Sequence, residues 1–400
     1  MAQLSKTDAY RHIRPAAPTR PLISGIERQV GGVPTVSSIL DLPYLAWFAN
    51  GRSAIAQAAI LAGVSPDSSV LVPAYHCESM IAPLAWLGPR VIPYRVREDF
   101  SIDLDHLMSV SDGRTRLVLV PQYFGHWKST ADLYRLAQDS NWSLVEDCAH
   151  AFFAICEPSA LGMHSHFMVA SVPKFVAAFD GGVLASRLPR PDWPSSRRPS
   201  LGAELRALGE AVEYAFDYGR WPRAARSIRP MLESIRRIIK GPRRETAGGV
   251  SNPASRYGGV EFEAAHVNTG ATVLAKSLAR RAKRAAIAAA RRSNWEELRE
   301  RIGVSRRVRF PIARLGSMDV PYVLALEIED PERTFPALKA RGIPVYRWET
   351  SFPGCDKAVC EVSERYRSSL IQLPCHQSLN SSELEWIART VIEIVEHRAA

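Results

Sequence analysis

From Gly51 to Arg187 the chain repeats one pattern, in which short apolar runs alternate with helical stretches. The runs are Val70–Pro73, Val91–Tyr94, Leu117–Val120, Ser143–Glu146 and Gly182–Ala185. Each is too short for a helix and too apolar for a strand with a wet face, which predicts strands buried on both sides. The intervening segments, such as Ser79–Leu87 and Thr130–Gln138, carry helix-forming residues. Strand–helix alternation of this kind folds as a mainly parallel sheet with helices on its faces. A helix from Ser53 to Ala62, ended by Gly63, opens the series.

The pattern changes after Arg187. Residues 188–200 are dense in Pro, Ser and Arg and read as a linker, and 201–240 read as helices with arginine-rich faces. Gly241 to Gly259 reads as a loop, and Leu274 to Ile302 as one long Ala- and Arg-rich helix. Strands are expected at Arg309–Ile312, Tyr322–Ile328 and Ile343–Tyr346, with a helix at Phe335–Arg341. Asn380 followed by Glu383 has the spacing of a capping box for a last helix, Ser381–His397. The expected organisation is an irregular arm over 1–45, a large domain over 46–300 with a basic helical insertion at about 197–244, and a small α/β domain over 301–400. A chain of 400 residues with 46% hydrophobic content can bury two such cores.

Composition removes several classes of function. No run approaches the ~18–20 apolar residues of a membrane helix. Residues 1–20 hold no apolar stretch of the kind a secretory signal needs, so the chain is read as cytoplasmic. The six cysteines form no CxxC pair, and no zinc-binding set is expected. The net charge of +10 is concentrated in 197–244 and 276–301. No nucleic-acid recognition motif accompanies it. With Trp193 and Trp221, the first stretch is a candidate membrane-surface or partner-binding element.

Three segments carry chemistry. Ser143–His150 is an apolar run ending in Glu146-Asp147, which places a carboxylate at a strand's carboxyl end, where open α/β sheets bind ligands. In Met168–Phe175, Lys174 is flanked by Val172, Pro173, Phe175 and Val176. Apolar surroundings lower a lysine pKa and favour the nucleophilic amine. The third segment, Asn50-Gly51-Arg52-Ser53-Ala54, opens a helix and presents free N–H groups to an anion. An anion cradle, an acid for a ring nitrogen and an imine-forming lysine together are what pyridoxal 5′-phosphate requires.

These residues resemble the DegT/DnrJ/EryC1/StrS family of sugar aminotransferases. Gly51-Arg-Ser-Ala-Ile55 resembles its phosphate turn, Gln122-Tyr-Phe-Gly125 its His-Leu-Tyr-Gly turn, and Glu146-Asp-Cys-Ala-His150 its Glu-Asp-Ala-Ala-Gln/His motif. Lys174 with Asp180-Gly-Gly182 resembles its lysine followed by Glu-Gly-Gly. Ala340–Ile343 and Leu373–His376 are similar to less specific C-terminal patterns. The resemblance implies an aspartate-aminotransferase-like α/β fold (fold type I). It also implies a Schiff base on Lys174, with Asp147 on the pyridinium nitrogen and His150 near the ring hydroxyl or face. Gly51, Arg52, Ser53 and Ser171 would bind phosphate, and His76 or Cys77 stands where the family stacks an aromatic on the ring. Asn268 is the candidate for the family's residue that reaches the partner's cofactor. Arg52 departs from the usual Thr, and His76-Cys77 from Thr-aromatic.

The implied activity is transfer of an amino group, with glutamate the expected donor and a nucleotide-linked keto-sugar the acceptor, in a homodimer. Two other readings use the same fold: a sugar dehydratase that uses the same cofactor, and a non-enzymatic scaffold or regulator. Lys174 weighs against the first, and intact Asp147 and Lys174 weigh against the second.

Overall fold

The computed structural model describes residues 15–23, 35–220, 262–350 and 359–396. The expected loop at 241–259, Cys355, and the part of the basic stretch from Trp221 onward lie outside these residues.

Every strand expected between Val70 and Ala185 forms, within two residues of the sequence reading. The central sheet is built from β2 (Tyr44–Phe48), β3 (Ser69–Pro73), β4 (Arg90–Tyr94), β5 (Thr115–Pro121), β6 (Ser143–Asp147), β8 (Phe167–Ser171) and β9 (Gly182–Ser186). Their spatial order is β2-β9-β8-β6-β5-β3-β4. From β8 to β4 all neighbours run parallel, whereas β9 is antiparallel to both β8 and β2. Strand order reverses between β3 and β5, the place where such sheets leave a crevice at their carboxyl ends. A separate antiparallel pair joins β1 (Val36–Ser38) to β7 (Phe153–Ile155).

Helices α1 (Gly51–Leu61), α2 (Glu78–Leu87), α3 (Leu104–Val110) and α4 (Ala131–Asp139) flank this sheet, and α5 (Leu201–Asp217) follows its last strand in sequence. α1 is small-residue-rich, which lets it lie close on the sheet: Ala54, Ala58 and Ala59 are buried against Val70, Val72, Leu119 and Leu184. None of the described helices is long and apolar enough to cross a membrane.

The stretch expected as one helix from Leu274 to Ile302 is two: α6 (Val273–Arg280) and α7 (Arg284–Ile302). Neither Gly nor Pro marks the break. Lys283 leaves the helical region, with ψ of 75°. α6 buries Ala275 and Ala279 in the core around Phe175. α7 buries Trp295, Leu298 and Ile302 in a different core with Leu326, Ile371 and Ile387. α7 also reaches the first core through Ala288, so both helices pack on it and α7 alone extends to the second.

That second core belongs to a three-stranded antiparallel sheet of β10 (Val308–Arg309), β11 (Val323–Ile328) and β12 (Leu370–Pro374), with α8 (Pro331–Ala340), α9 (Glu361–Ser369) and α10 (Ser381–Glu396). The capping box forms as expected. Glu383 N donates to Asn380 Oδ1 (2.8 Å), and Asn380 N donates to the Glu383 carboxylate (2.9 Å). Ile343–Tyr346 is not a strand; a single bridge from Tyr346 to Gln372 replaces it. The arm is not uniformly irregular either, since β1 and the start of β2 fall within it.

The two units interlock at Gly125, in the turn after β5. Its φ is +90°, and an added Cβ would collide with the Val320 carbonyl and stand 2.8 Å from Pro321 Cα. Both neighbours are backbone, so neither can give. Gly125→Ala should therefore destabilise the fold by roughly 2–4 kcal/mol. The urea midpoint would fall without a change in m.

Candidate active site

The carboxyl ends of β3, β5, β6 and β8 face one crevice, and four chain segments converge there. Along β6, successive side chains alternate faces. Glu146 turns one way and is held by Gln122 Nε2 (2.9 Å) and Thr130 Oγ1 (3.3 Å). Asp147 turns the other way, and its Oδ1 accepts from Ala149 N (2.9 Å). No hydrogen bond reaches its second oxygen among the described residues. Burial raises the Asp147 pKa, and the Lys174 ammonium pulls it back.

Lys174 ends a single 3-10 turn, Val172–Lys174, directly after β8. The Val172 N–H donates to Gly181 O (2.9 Å), which folds the lysine turn onto the Gly181-Gly182 bend. That bend is tight: a Cβ on Gly182 would collide with the Asn50 carbonyl. The Lys174 side chain is half-buried, and its amine makes no hydrogen bond or ion pair among the described residues. It lies 5.4 Å from the Tyr322 ring centroid. Desolvation lowers its pKa, while Cys77 and Asp147 act in the opposite direction. Asp147 and Lys174 thus feel each other across a gap rather than touching.

His150 is 8% exposed and stacks on Tyr322, with centroids 4.4 Å apart and planes at 26°. Burial and the lysine charge hold its pKa well below the ordinary histidine value, so the ring is neutral at pH 7. Phe124 (5.8 Å) and Trp348 (5.5 Å) complete an aromatic wall around it.

At the other end of the crevice stands the amino end of α1. Asn50 caps it, accepting from Ser53 N (2.9 Å). A Cβ on Gly51 would lie 3.5 Å from Ser171 Cβ, so the helix start and Ser171 are neighbours. The Ser171 hydroxyl has no protein partner among the described residues. A helix start and a free hydroxyl together form a cradle for an anion.

The structure therefore brings Gly51, Asp147, His150, Ser171 and Lys174 together, while Ser53 is buried in α1 with its hydroxyl on Asn50 Oδ1 (3.3 Å) and His266 O (3.4 Å). It separates the pair His76-Cys77. His76 is buried behind the site, its Nδ1 2.9 Å from Pro73 O, and burial lowers its pKa to about 4. Cys77 caps α2, is partly exposed, and interacts electrostatically with Lys174 and Tyr322. Cys77 is thus the one of the two that faces the lysine. Arg52 is half-buried in the first turn of α1. Asn268 lies beside α1 of its own chain, where its Oδ1 accepts from Gln57 Nε2 (2.6 Å).

Sequence reasoning missed Arg291. It is fully buried on α7, and its guanidinium donates to Lys174 O (2.7 Å), Pro321 O (3.0 Å) and Gln377 Oε1 (3.0 Å). It also stacks over Phe175, 4.2 Å from the centroid. Gln377 closes the circuit by donating to Phe175 O (2.8 Å). Arg291 thus ties the lysine turn to the segment that carries Tyr322. Nothing in an arginine-rich helix marks one arginine as internal. Tyr322 and Trp348 were also unmarked, because their side chains reach the crevice from the other unit.

A model of the DegT/DnrJ/EryC1/StrS aminotransferase family matches residues 39–190. That segment contains every residue of the cradle, acid and lysine. A comparison with curated protein sequences finds no match. Among solved structures, S. venezuelae DesV in complex with a ketimine intermediate superposes with a TM-score of 0.61 at 16% identity, covering 90% of this chain and 87% of that one. A 3-amino-5-hydroxybenzoic acid synthase gives 0.59 at 19% identity, over 89% and 87%. NtdA from Bacillus subtilis with bound cofactor PMP gives 0.60 at 13% identity, over 90% and 74%. At these identities the shared property is the fold, which is the aspartate-aminotransferase-like α/β architecture.

Proposed function

We propose, for a chain whose residues 39–190 are those of the DegT/DnrJ/EryC1/StrS aminotransferase family, that it transfers an amino group to a keto-sugar with pyridoxal 5′-phosphate as cofactor. One observation carries the reading. A desolvated lysine amine without a protein partner faces a buried carboxylate across a gap, with an anion cradle alongside.

The residues present fit the group. Lys174 would hold it covalently, Asp147 would face its ring nitrogen, and Ser171 with the start of α1 would take its phosphate. Bound there, pyridoxal 5′-phosphate supplies an electron-withdrawing ring that accepts the electron pair released at the donor's Cα. The protein supplies proton handling and position. Burial raises the neutral fraction of the Lys174 amine, so this group can take a proton from carbon and return it. The Asp147 carboxylate, desolvated and bonded once to Ala149, has a free oxygen for a cationic N–H. His150 stays uncharged against Tyr322, so it can hydrogen-bond to a ring hydroxyl without adding charge. The aromatic wall of Phe124, Tyr322 and Trp348 excludes water from one side.

The donor we favour is glutamate and the acceptor a nucleotide-linked sugar. The donor amine becomes a ketone while the acceptor ketone becomes an amine, so no external oxidant is needed. The active form we favour is a homodimer.

The test is the visible spectrum of purified protein with added pyridoxal 5′-phosphate, followed by borohydride and peptide mapping. A new band, fixed covalently on Lys174, is the expected result. No band and no modified lysine would rule the reading out.

A further inference from the structure

Residues 15–23 run as a strap across both units. Ala16 N donates to Gly342 O (2.9 Å), Leu22 N donates to Ser378 Oγ (3.0 Å), and the His376 ring meets Pro18 O (2.9 Å). On the other side, Thr19 N donates to the Tyr214 hydroxyl (2.8 Å).

Another join between the units carries buried charge. The Asp319 carboxylate, in the loop before β11, collects three N–H groups. His126 Nδ1 lies 2.8 Å from Oδ2, Trp127 N donates to Oδ1 (2.9 Å), and Gly316 N donates to Oδ2 (2.8 Å). Facing a carboxylate, the imidazole nitrogen is the donor. His126 and Asp319 are each 5% exposed. Arg292 of α7 braces the same loop, donating to Gly316 O (2.9 Å) and Asp319 O (2.8 Å). Three residues further on, Tyr322 N donates to Phe124 O (2.7 Å). The turn after β5 and the loop before β11 are thus locked by His126, Trp127 and the Phe124–Tyr322 bond.

What the lock holds is the surroundings of His150. No hydrogen bond engages the His150 ring among the described residues. Its orientation comes from other rings: Tyr322 at 4.4 Å, Trp348 at 5.5 Å and Phe124 at 5.8 Å. Two of these three belong to the locked segments. Phe124 has a φ of +57°, which a bulky side chain adopts only where its surroundings impose it. A fully satisfied buried polar network is stiff, and losing one member leaves the rest under-bonded. A strained turn released at His126 would relax and carry the Phe124 ring with it.

We propose that the His126–Asp319 pair positions His150 for the reaction: it fixes the Phe124 and Tyr322 rings, and these fix the imidazole. The effect on turnover rests on the cofactor reading above, whereas the effect on the His150 ring does not.

The experiment compares full-length wild type with His126→Ala, His126→Asn, Asp319→Asn and Leu338→Ala. Leu338 is fully buried on α8 in the second core, so its truncation destabilises the fold away from the lock. The first readout is the His150 ring C–H resonance without cofactor, identified by its absence in His150→Gln. Packed rings displace that resonance from the position of a free histidine. His126→Ala and Asp319→Asn should move it toward the free position, and Leu338→Ala should not. His126→Asn, whose amide can stand in for Nδ1–H, should restore most of the wild-type shift. The second readout is the rate at which L-glutamate discharges the visible band of loaded protein. In His126→Ala the borohydride-fixed band should persist. Its maximal discharge rate should fall about 10- to 100-fold, the range for a group misplaced by up to ~1 Å, with little change in the half-saturating glutamate concentration.

A His150 resonance that stays in place in His126→Ala and Asp319→Asn overturns the inference, as does an equal move in Leu338→Ala. If Asp319→Asn does not fold, His126→Ala decides, because it leaves Asp319 both backbone donors. Wild-type discharge rates in the shifted variants also overturn it. A wild type that borohydride never traps ends the cofactor reading, and the resonance alone then decides whether the pair holds His150.

Discussion

Lys174→Ala should lose the borohydride-fixed band and lower turnover by roughly 10⁴-fold, the upper range for removing a proton-transferring group. The folded chain should not suffer. Lys174 makes no hydrogen bond among the described residues, and burial opposes its charged form. Its folded pKa lies below that of a free lysine, ~10.4. Between the two values the unfolded chain binds more protons than the folded one, so stability rises with pH across that window. Below the window, wild type bears the full cost of a desolvated ammonium. Lys174→Ala should therefore match or exceed wild-type stability at pH 7 without cofactor, and the variant should lose its advantage as pH climbs toward 10. Urea midpoints of both proteins at several pH values check this. Subtracting one curve from the other cancels the other titrating groups. A variant that is less stable at pH 7 would mean that the lysine is a structural partner.

Arg291→Met should be the most damaging change outside the reacting groups. It removes the donors to Lys174 O, Pro321 O and Gln377 Oε1 while filling similar space. Each buried acceptor left without a donor costs ~1–3 kcal/mol, partly offset by no longer burying a charge. A net loss of roughly 2–4 kcal/mol follows, visible in the urea midpoint. The turn that carries Lys174 would also lose its tie to the Tyr322 segment. A shift near 1 Å in a reacting group costs on the order of 10²-fold in rate. Because Arg291 acts through the lysine's backbone, kcat should fall more than KM rises. The band should still form but be discharged more slowly by donor. Arg291→Lys should recover little, because one ammonium cannot reach three oxygens in different directions. If Arg291→Met changed stability and left kcat intact, Arg291 would be a packing residue only.

Much of the fold could be read from the sequence because the large unit obeys simple periodicity. β3, β5 and β9 are continuous apolar runs between turn residues, and a strand buried on both faces has no other appearance. Asn50 before α1 and Asn380 before α10 announce their helices by side-chain chemistry alone. The break at Lys283 could not be read, since neither Gly nor Pro stands there. β8 also went unassigned, although Phe167–Ser171 leads directly into the lysine turn. In the site, Asp147 was legible because it ends β6, and Lys174 because apolar residues flank it. Asp147 needed only the alternation of β6 to be told from Glu146. Tyr322, Trp348 and Arg291 come from the second unit. Their roles depend on how distant stretches meet, and no local pattern records that.

The strap has a bearing on how the protein is made. Gly342, His376 and Ser378, which hold residues 16–22, leave the ribosome long after those residues do. The large sheet is complete once Ser186 has emerged, and can assemble while translation continues. Residues 16–22 must then wait, undocked, while the second unit is made. Only when Ser378 is clear can the strap be clamped on its far side. Nascent chains halted before that point should hold a finished sheet and an undocked N-terminal segment.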